Sequence, residues 1–398
     1  MAALAAQGQN ILATSGGAPR LFGTDMAVLE AGEPRKDLPC VVDHEKAILG
    51  FDLRFHAAYD VNVPLKELAG NENLLTILFR VTHLDAVGKP TGGPVYFSQK
   101  IRVPSVEEDA KGEASLQGGF DLGEGKYRIE WLIRDRTERV CSAYWDVEAA
   151  LPPKDKNMQL MIATGAIENL EAEQFRDEPP VARQPDRPLN VKVLVNFAPQ
   201  KATAATLQPI DTAALVSILR QISRDPRIGR FSLVAFNMHE RQVLYKQENA
   251  DKIDFPALGK AVGGIKLGTV DLARLSNKRG ETEFLEQLLL SEVGGEKAPV
   301  DAVVFAGPKA MLEENVSQDS LRQIGHIDCP IFYMNYNLHP QATPWRDSIS
   351  HAVKFMKGME YTISRPRDLW YAVSEMVSQI VKSRGSRNAL SVGAPSGQ

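Results

Sequence analysis

Between Lys126 and Arg134 the chain alternates. Tyr127, Ile129, Trp131 and Ile133 fall on one face, and Arg128, Glu130 and Arg134 on the other. A period of two marks a half-buried antiparallel strand, and the "GEGKY" stretch just before it supplies a tight turn. Stretches of the same texture, "AILGFDLRFHAAYDVNVPL", "LLTILFRVTHL", "PVYFSQKIRVP" and "RVCSAYWDVEA", recur from about Cys40 to residue 150. Farther along, the period changes. "VKVLVNF" is a nearly continuous apolar run, as for a strand buried on both faces. Asp211 can cap a helix whose stripe is Leu215, Ile218, Leu219 and Ile222, stopped by Asp225-Pro226. Strands at "RFSLVAFN", "RQVLYKQ", "DAVVFAGP", "PIFYMNYN" and "EYTIS" then mix with helices at "ETEFLEQLLLSEVGG", "QDSLRQIG" and "WRDSISHAVKFMKG". The third of these helices is expected to start at a Thr343 cap with Pro344 in the first position. "RPRDLWYAVSEMVSQIVKSR" closes the series as an amphipathic helix.

The two textures predict two domains. Residues 39–150, with five to seven short strands, resemble an immunoglobulin-like β-sandwich. Residues 189–386, where strands and helices alternate, predict an α/β domain with a doubly wound, mostly parallel, Rossmann-like sheet. Residues 1–38 lack periodicity and are expected to be flexible. Residues 151–188 read as a Pro- and charge-rich linker with a possible extra strand at "MQLMIATGAI", and 387–398 as a disordered tail.

A chain of 398 residues suits two cores better than one. Its net charge of -4 argues against nucleic acid as a partner, since phosphate contacts need concentrated Lys and Arg. No apolar run is long enough to predict a transmembrane segment. Three cysteines are too few for a disulfide scaffold. Cys40 and Cys141, however, lie at the entrance and on the last strand of the predicted sandwich, where they form a candidate disulfide or stay as two buried thiols. Ala3-Leu4-Ala5 has the small-x-small form of an export cleavage site without the basic and apolar regions that should precede it. A secreted or periplasmic location is therefore the expectation, and a cytoplasmic one the alternative.

The order of elements from Leu189 to Arg384, carried by "VKVLVNF", "RFSLVAFN", "DAVVFAGP", "IFYMNYN" and "EYTISRPRDLWYAVSEMVSQI", resembles the von Willebrand factor A (VWA) domain. The resemblance implies a metal-ion-dependent adhesion site at the carboxyl ends of the strands, built from a DxSxS loop, a Thr and a second Asp. Here the first loop reads Asn196-Phe197-Ala198-Pro199-Gln200, so a neutral Asn, an Ala and a Gln replace the ligands. Ala306 and Gly307 stand where the second Asp is expected. Thr282 matches the family's Thr, with Thr269 a weaker match. Mg²⁺ is held through at least one or two carboxylates, and both are missing. The resemblance thus implies a degenerate site with no metal and no cofactor.

The strand ends still offer binding chemistry. Asn237, His239, Lys309, Asn335, Tyr336 and Asn337 are the candidates for contact with a protein partner, against the plainer reading that Asn residues after strands satisfy turn backbone. No nucleophile elbow, phosphate-binding glycine loop or HExxH helix is present in the sequence. The expected function is non-enzymatic protein binding of the adhesion type. The alternatives are a hydrolase or small-ligand enzyme on the same scaffold, or a self-assembling scaffold forming homo-oligomers through its sheet edges.

Overall fold

The computed structural model describes residues 23–170, 173–184, 188–200, 207–264, 277, 279–294, 300–338 and 346–385, with backbone alone at 5–6, 10–11 and 386–392. Thr269, Thr343, Pro344 and the Ala3-Leu4 pair lie outside these residues. The chain divides into two compact units, Met1–Ala172 and Glu173–Gln398.

In the first unit, β1 (Ala5–Ala6), β2 (Asn10–Ile11), β6 (Asn73–Leu84), β7 (Val95–Val103), β9 (Gly125–Arg134) and β10 (Val140–Ala149) form one antiparallel sheet, in the order β1-β7-β6-β9-β10 with β2 also on β7. β3 (Val41–His44), β4 (Ile48–Leu49), β5 (Phe55–Pro64), β8 (Glu113–Leu122) and β11 (Ile167–Asn169) form the other, in the order β11-β8-β5-β3 with β4 on β5. β5 shows the pattern that makes this a β-sandwich: Phe55, Ala57, Tyr59, Val61 and Val63 are all buried while the residues between them are not. Tyr59 meets Phe79 and Trp131 edge-on, and Phe120 meets Phe79 and Phe97, so rings from the two sheets interlock in one core. Gly118 leaves room for this packing, since a Cβ there would lie 2.2 Å from the Tyr59 hydroxyl.

Cys40 and Cys141 are joined by a disulfide, with Cα atoms 6.2 Å apart, that ties the entrance of the unit to β10. The segment expected to be flexible contains α1 (Gly23–Ala31), whose Val28 and Leu29 pack on Leu78, Leu132 and Val140. The run "MQLMIATGAI" is not a strand where it was expected. Its first residues are irregular, and pairing begins only at β11, against β8.

The second unit contains β12 (Leu189–Asn196), β13 (Ile228–Asn237), β14 (Gln242–Ala250), β15 (Ala302–Pro308), β16 (Ile331–Tyr336) and β17 (Met359–Ile363), in the order β14-β13-β12-β15-β16-β17. Among the described residues its helices are α2 (Pro209–Arg224), α3 (Phe255–Gly263), α4 (Gly280–Glu292), α5 (Gln318–Gln323), α6 (Ser348–Phe355) and α7 (Pro366–Val392).

The doubly wound α/β expectation is corrected here. The sheet is mixed, because β14 returns antiparallel to β13. Only residues 238–241 separate the two strands, too short a span for the crossover that a parallel neighbour needs. Asn237 Oδ1 accepts from Glu240 N to close that turn. α5 has only six residues and α6 eight, and β-structure in three sheets dominates the chain, without a clear doubly wound VWA fold. α6 starts at Ser348 under an Asp347 cap, later than the Thr343 start expected from sequence. α7 runs to Val392, into the expected tail.

Candidate functional site

The five parallel strands β12, β13, β15, β16 and β17 end on the same side of the sheet, and the residues singled out from sequence gather there. Their side chains are mostly turned inward. Asn196 is buried, and its Oδ1 accepts from Met238 N at 3.1 Å. Asn237 Nδ2 donates to the Phe197 carbonyl at 2.7 Å. Gln200 accepts from Leu338 N and donates to Asn337 Oδ1, tying the loop after β12 to the loop after β16. Thr282 Oγ1 donates to the Glu314 carbonyl. Ala198 and Ala306 are buried, and a Cβ on neighbouring Gly307 would lie 2.8 Å from Asn196 Cβ. These positions act as struts between loops.

The partner-binding candidates separate by burial. Asn237, Asn335 and Tyr336 are buried and offer nothing to a surface partner. Tyr336 donates to the Ala198 carbonyl, and burial together with Asp211 pushes its hydroxyl far above the usual range. Asn337 is half-buried, its backbone N–H held by Ile363 O. Lys309 is half-buried, and His239 sits at the rim, 3.2 Å from Glu281. Two residues missed by sequence reasoning stand out at this end: Ile210, 50% exposed in the first turn of α2, and Met311, 48% exposed just past β15. Burial cannot be read from residue type alone, so nothing in the sequence marks either residue.

The strongest titratable cluster lies elsewhere, on the sandwich. The chain bends through Gly50–Arg54 into β5, which brings Asp52 and His56 beside Asp121 at the end of β8. His56 Nδ1 donates to Asp121 Oδ1 at 2.7 Å, and Nε2 donates to Asp52 Oδ1 at 3.0 Å. Arg54 Nη1 lies 2.8 Å from Glu168 and 3.4 Å from Asp121. Burial alone would lower the imidazole pKa, but hydrogen bonds and charge from both carboxylates outweigh it and push the value up to about 10. The His56 contact in turn holds Asp52 below its usual value, against its burial.

Asp52, His56 and Asp121 have the ligand atoms of a metal site, all within 4.8 Å of one another. The donor set fits an ion poorly, because the two carboxylates engage opposite ring nitrogens and Arg54 adds positive charge. A ring protonated to about pH 10 is also no general base at neutral pH. The cluster is an ionic clasp between β5, β8 and β11. The i, i+4 spacing of Asp52 and His56 was visible in sequence, but Asp121 comes from a strand far along the chain.

No family model matches the chain, and no curated protein matches it. Among solved structures, a mutant of the PilB minor pilin from Streptococcus sanguinis aligns over 80% of this chain and 90% of its own, at 9% identity and a TM-score of 0.27. A beta-glucuronidase from Bacteroides uniformis aligns over 80% of this chain and 38% of its own, at 10% identity and a TM-score of 0.19. Likenesses this weak carry no argument about fold or activity, and they do not indicate a VWA domain. Among the described residues, no helix is long and apolar enough to cross a membrane.

Proposed function

We propose that this chain is a non-enzymatic binding protein that captures another protein at the strand-end rim of its second unit. One contrast carries the reading. Asn196, Asn237 and Gln200 at that end are consumed in internal hydrogen bonds, while Ile210 and Met311 stand exposed. β12 and β15 are parallel neighbours, and α2 starts its return from the carboxyl end of β12, so both apolar residues sit at one end of the sheet. Exposed apolar groups at a sheet end suit a protein partner. An oxidising compartment accompanies this reading, supported by the Cys40–Cys141 disulfide.

The test is affinity capture from cells that make the protein, comparing the wild type with an Ile210→Asp/Met311→Asp double variant. The reading predicts a protein retained by the wild type and lost with the double variant, the fold being intact by circular dichroism. The same retained set for both proteins, or turnover of a small substrate that survives the double substitution, would count against it.

A further inference from the structure

Asn315-Val316-Ser317 is the single Asn-x-Ser/Thr triplet in the 398 residues, and its middle residue is not proline. In a secreted chain such a triplet accepts an N-linked glycan where the asparagine amide reaches water. This one lies in the irregular stretch between β15 and α5, which is fastened on either side of the asparagine. Thr282 Oγ1 donates to the Glu314 carbonyl at 2.9 Å, and Val316 is buried in one core cluster with Leu321 and Ile349. Ser317 Oγ caps α5 by accepting from Ser320 N at 3.0 Å. Asn315 itself is exposed. Ser348 Oγ donates to its Oδ1 at 2.9 Å, and its Nδ2 donates to nothing among the described residues.

That split within one side chain suits modification. Joining a sugar to the amide changes Nδ2 and leaves the carbonyl oxygen as it was, so the bond from Ser348 survives. Asn196 and Asn237 differ, because both are buried and spend their amides on the loops they brace. Glu313, two residues before the asparagine, also meets the stricter, acidic form of the acceptor motif. The Cys40–Cys141 disulfide, in the other unit, independently calls for the oxidising side of a membrane, where such transfer takes place.

We propose that Asn315 carries an N-linked oligosaccharide, taken from a lipid-pyrophosphate-linked donor. Nδ2 bonds to C1 of the first sugar and gives up one proton. The bond from C1 to the pyrophosphate oxygen breaks, and the lipid pyrophosphate leaves with the electron pair, so nothing is oxidised or reduced. Transfer precedes the end of folding, because a transferase must grip the Ser317 hydroxyl, which the folded chain uses as a helix cap beside the buried Val316. The inference rests on the oxidising compartment proposed above and not on the capture surface.

The test is intact mass and peptide mapping of the full chain purified from the cells that make it, without reductant, so that the disulfide is read in the same sample. Wild type should carry one glycan, on the Asn315 peptide. Asn315→Gln and Ser317→Ala should each lose it, while Ser317→Thr, which keeps the hydroxyl and the cap, should retain it. Asn315→Gln changes an exposed side chain, so its circular dichroism should match wild type. An oxidised chain with an unmodified Asn315 would overturn the inference and leave the compartment standing. A reduced and unmodified chain would overturn both. A glycan that persists in Asn315→Gln would overturn the inference as well, by placing the sugar elsewhere.

Discussion

His56 and Asp347 show the same force acting with opposite signs. Burial opposes charge at both, but His56 has two carboxylates to hold its proton, whereas Asp347 faces another acid. The folded pKa of His56 is raised from 6.5 to about 10, so its contribution is fully present below about pH 6.5 and lost as pH rises through 10. The wild-type melting temperature should accordingly fall between pH 7 and 10. His56→Gln should melt lower than wild type at pH 6.5 and lack most of that fall, as a series of thermal scans would show.

Asp347 is raised from 3.8 to about 6. Its protonated form therefore favours the fold below about pH 4, and that advantage is lost as pH rises through 6. Asp347→Asn keeps the capping oxygen and removes the charge, so at pH 7.5 it should stabilise the chain by about 2–3 kcal/mol and have almost no effect at pH 4. Denaturant titration at the two pH values checks both statements. Neither group was legible in the sequence, beyond the i, i+4 spacing of Asp52 and His56. Their pKa values arise from partners such as Asp121, Tyr333 and Glu360, which only the tertiary fold brings near.

At the scale of elements, pattern served where it was strong. The alternating strand at Lys126–Arg134 and the apolar run at Val191–Phe197 form β9 and β12, because a regular face must be buried regularly. Pattern failed at "MQLMIATGAI", where apolar residues anchor an irregular segment (Met158 and Ile162 are buried), and at α1, whose three buried residues, Asp25, Val28 and Leu29, give no sustained period. It also failed at the β13–β14 turn, where a four-residue connection, not hydrophobicity, decides strand direction. The disulfide works at this scale too. It spans a sequence separation of 101 residues, and in the chain-entropy model closing a loop of that size contributes about 4–5 kcal/mol. Reduction, or Cys40→Ser, should lower the stability of the sandwich unit by that order, read as an earlier unfolding midpoint in denaturant. Gly118→Ala should cost about 1–3 kcal/mol in the same assay, because its Cβ would meet the Tyr59 hydroxyl inside an interlocked aromatic core.

For the whole molecule, the chain divides at Ala172/Glu173, past the change in texture near residue 150, because β11 still pairs with the sandwich, and the function does not follow from that texture. The sequence pointed to the strand ends by their asparagines, but Asn196, Asn237 and Asn335 face inward, and exposure there falls to Ile210 and Met311. The edge at β3 and the later part of β10, beyond Ser142, are the competing surface, with Val41 exposed and Trp145 stacked on His44. Hydrogen–deuterium exchange of the chain alone and with its captured partner separates the two most directly. The account predicts new protection at Gln208–Thr212 and Lys309–Glu314. Protection confined to Val41–His44 and Tyr144–Ala149 would contradict it and make the sheet edges the working surface.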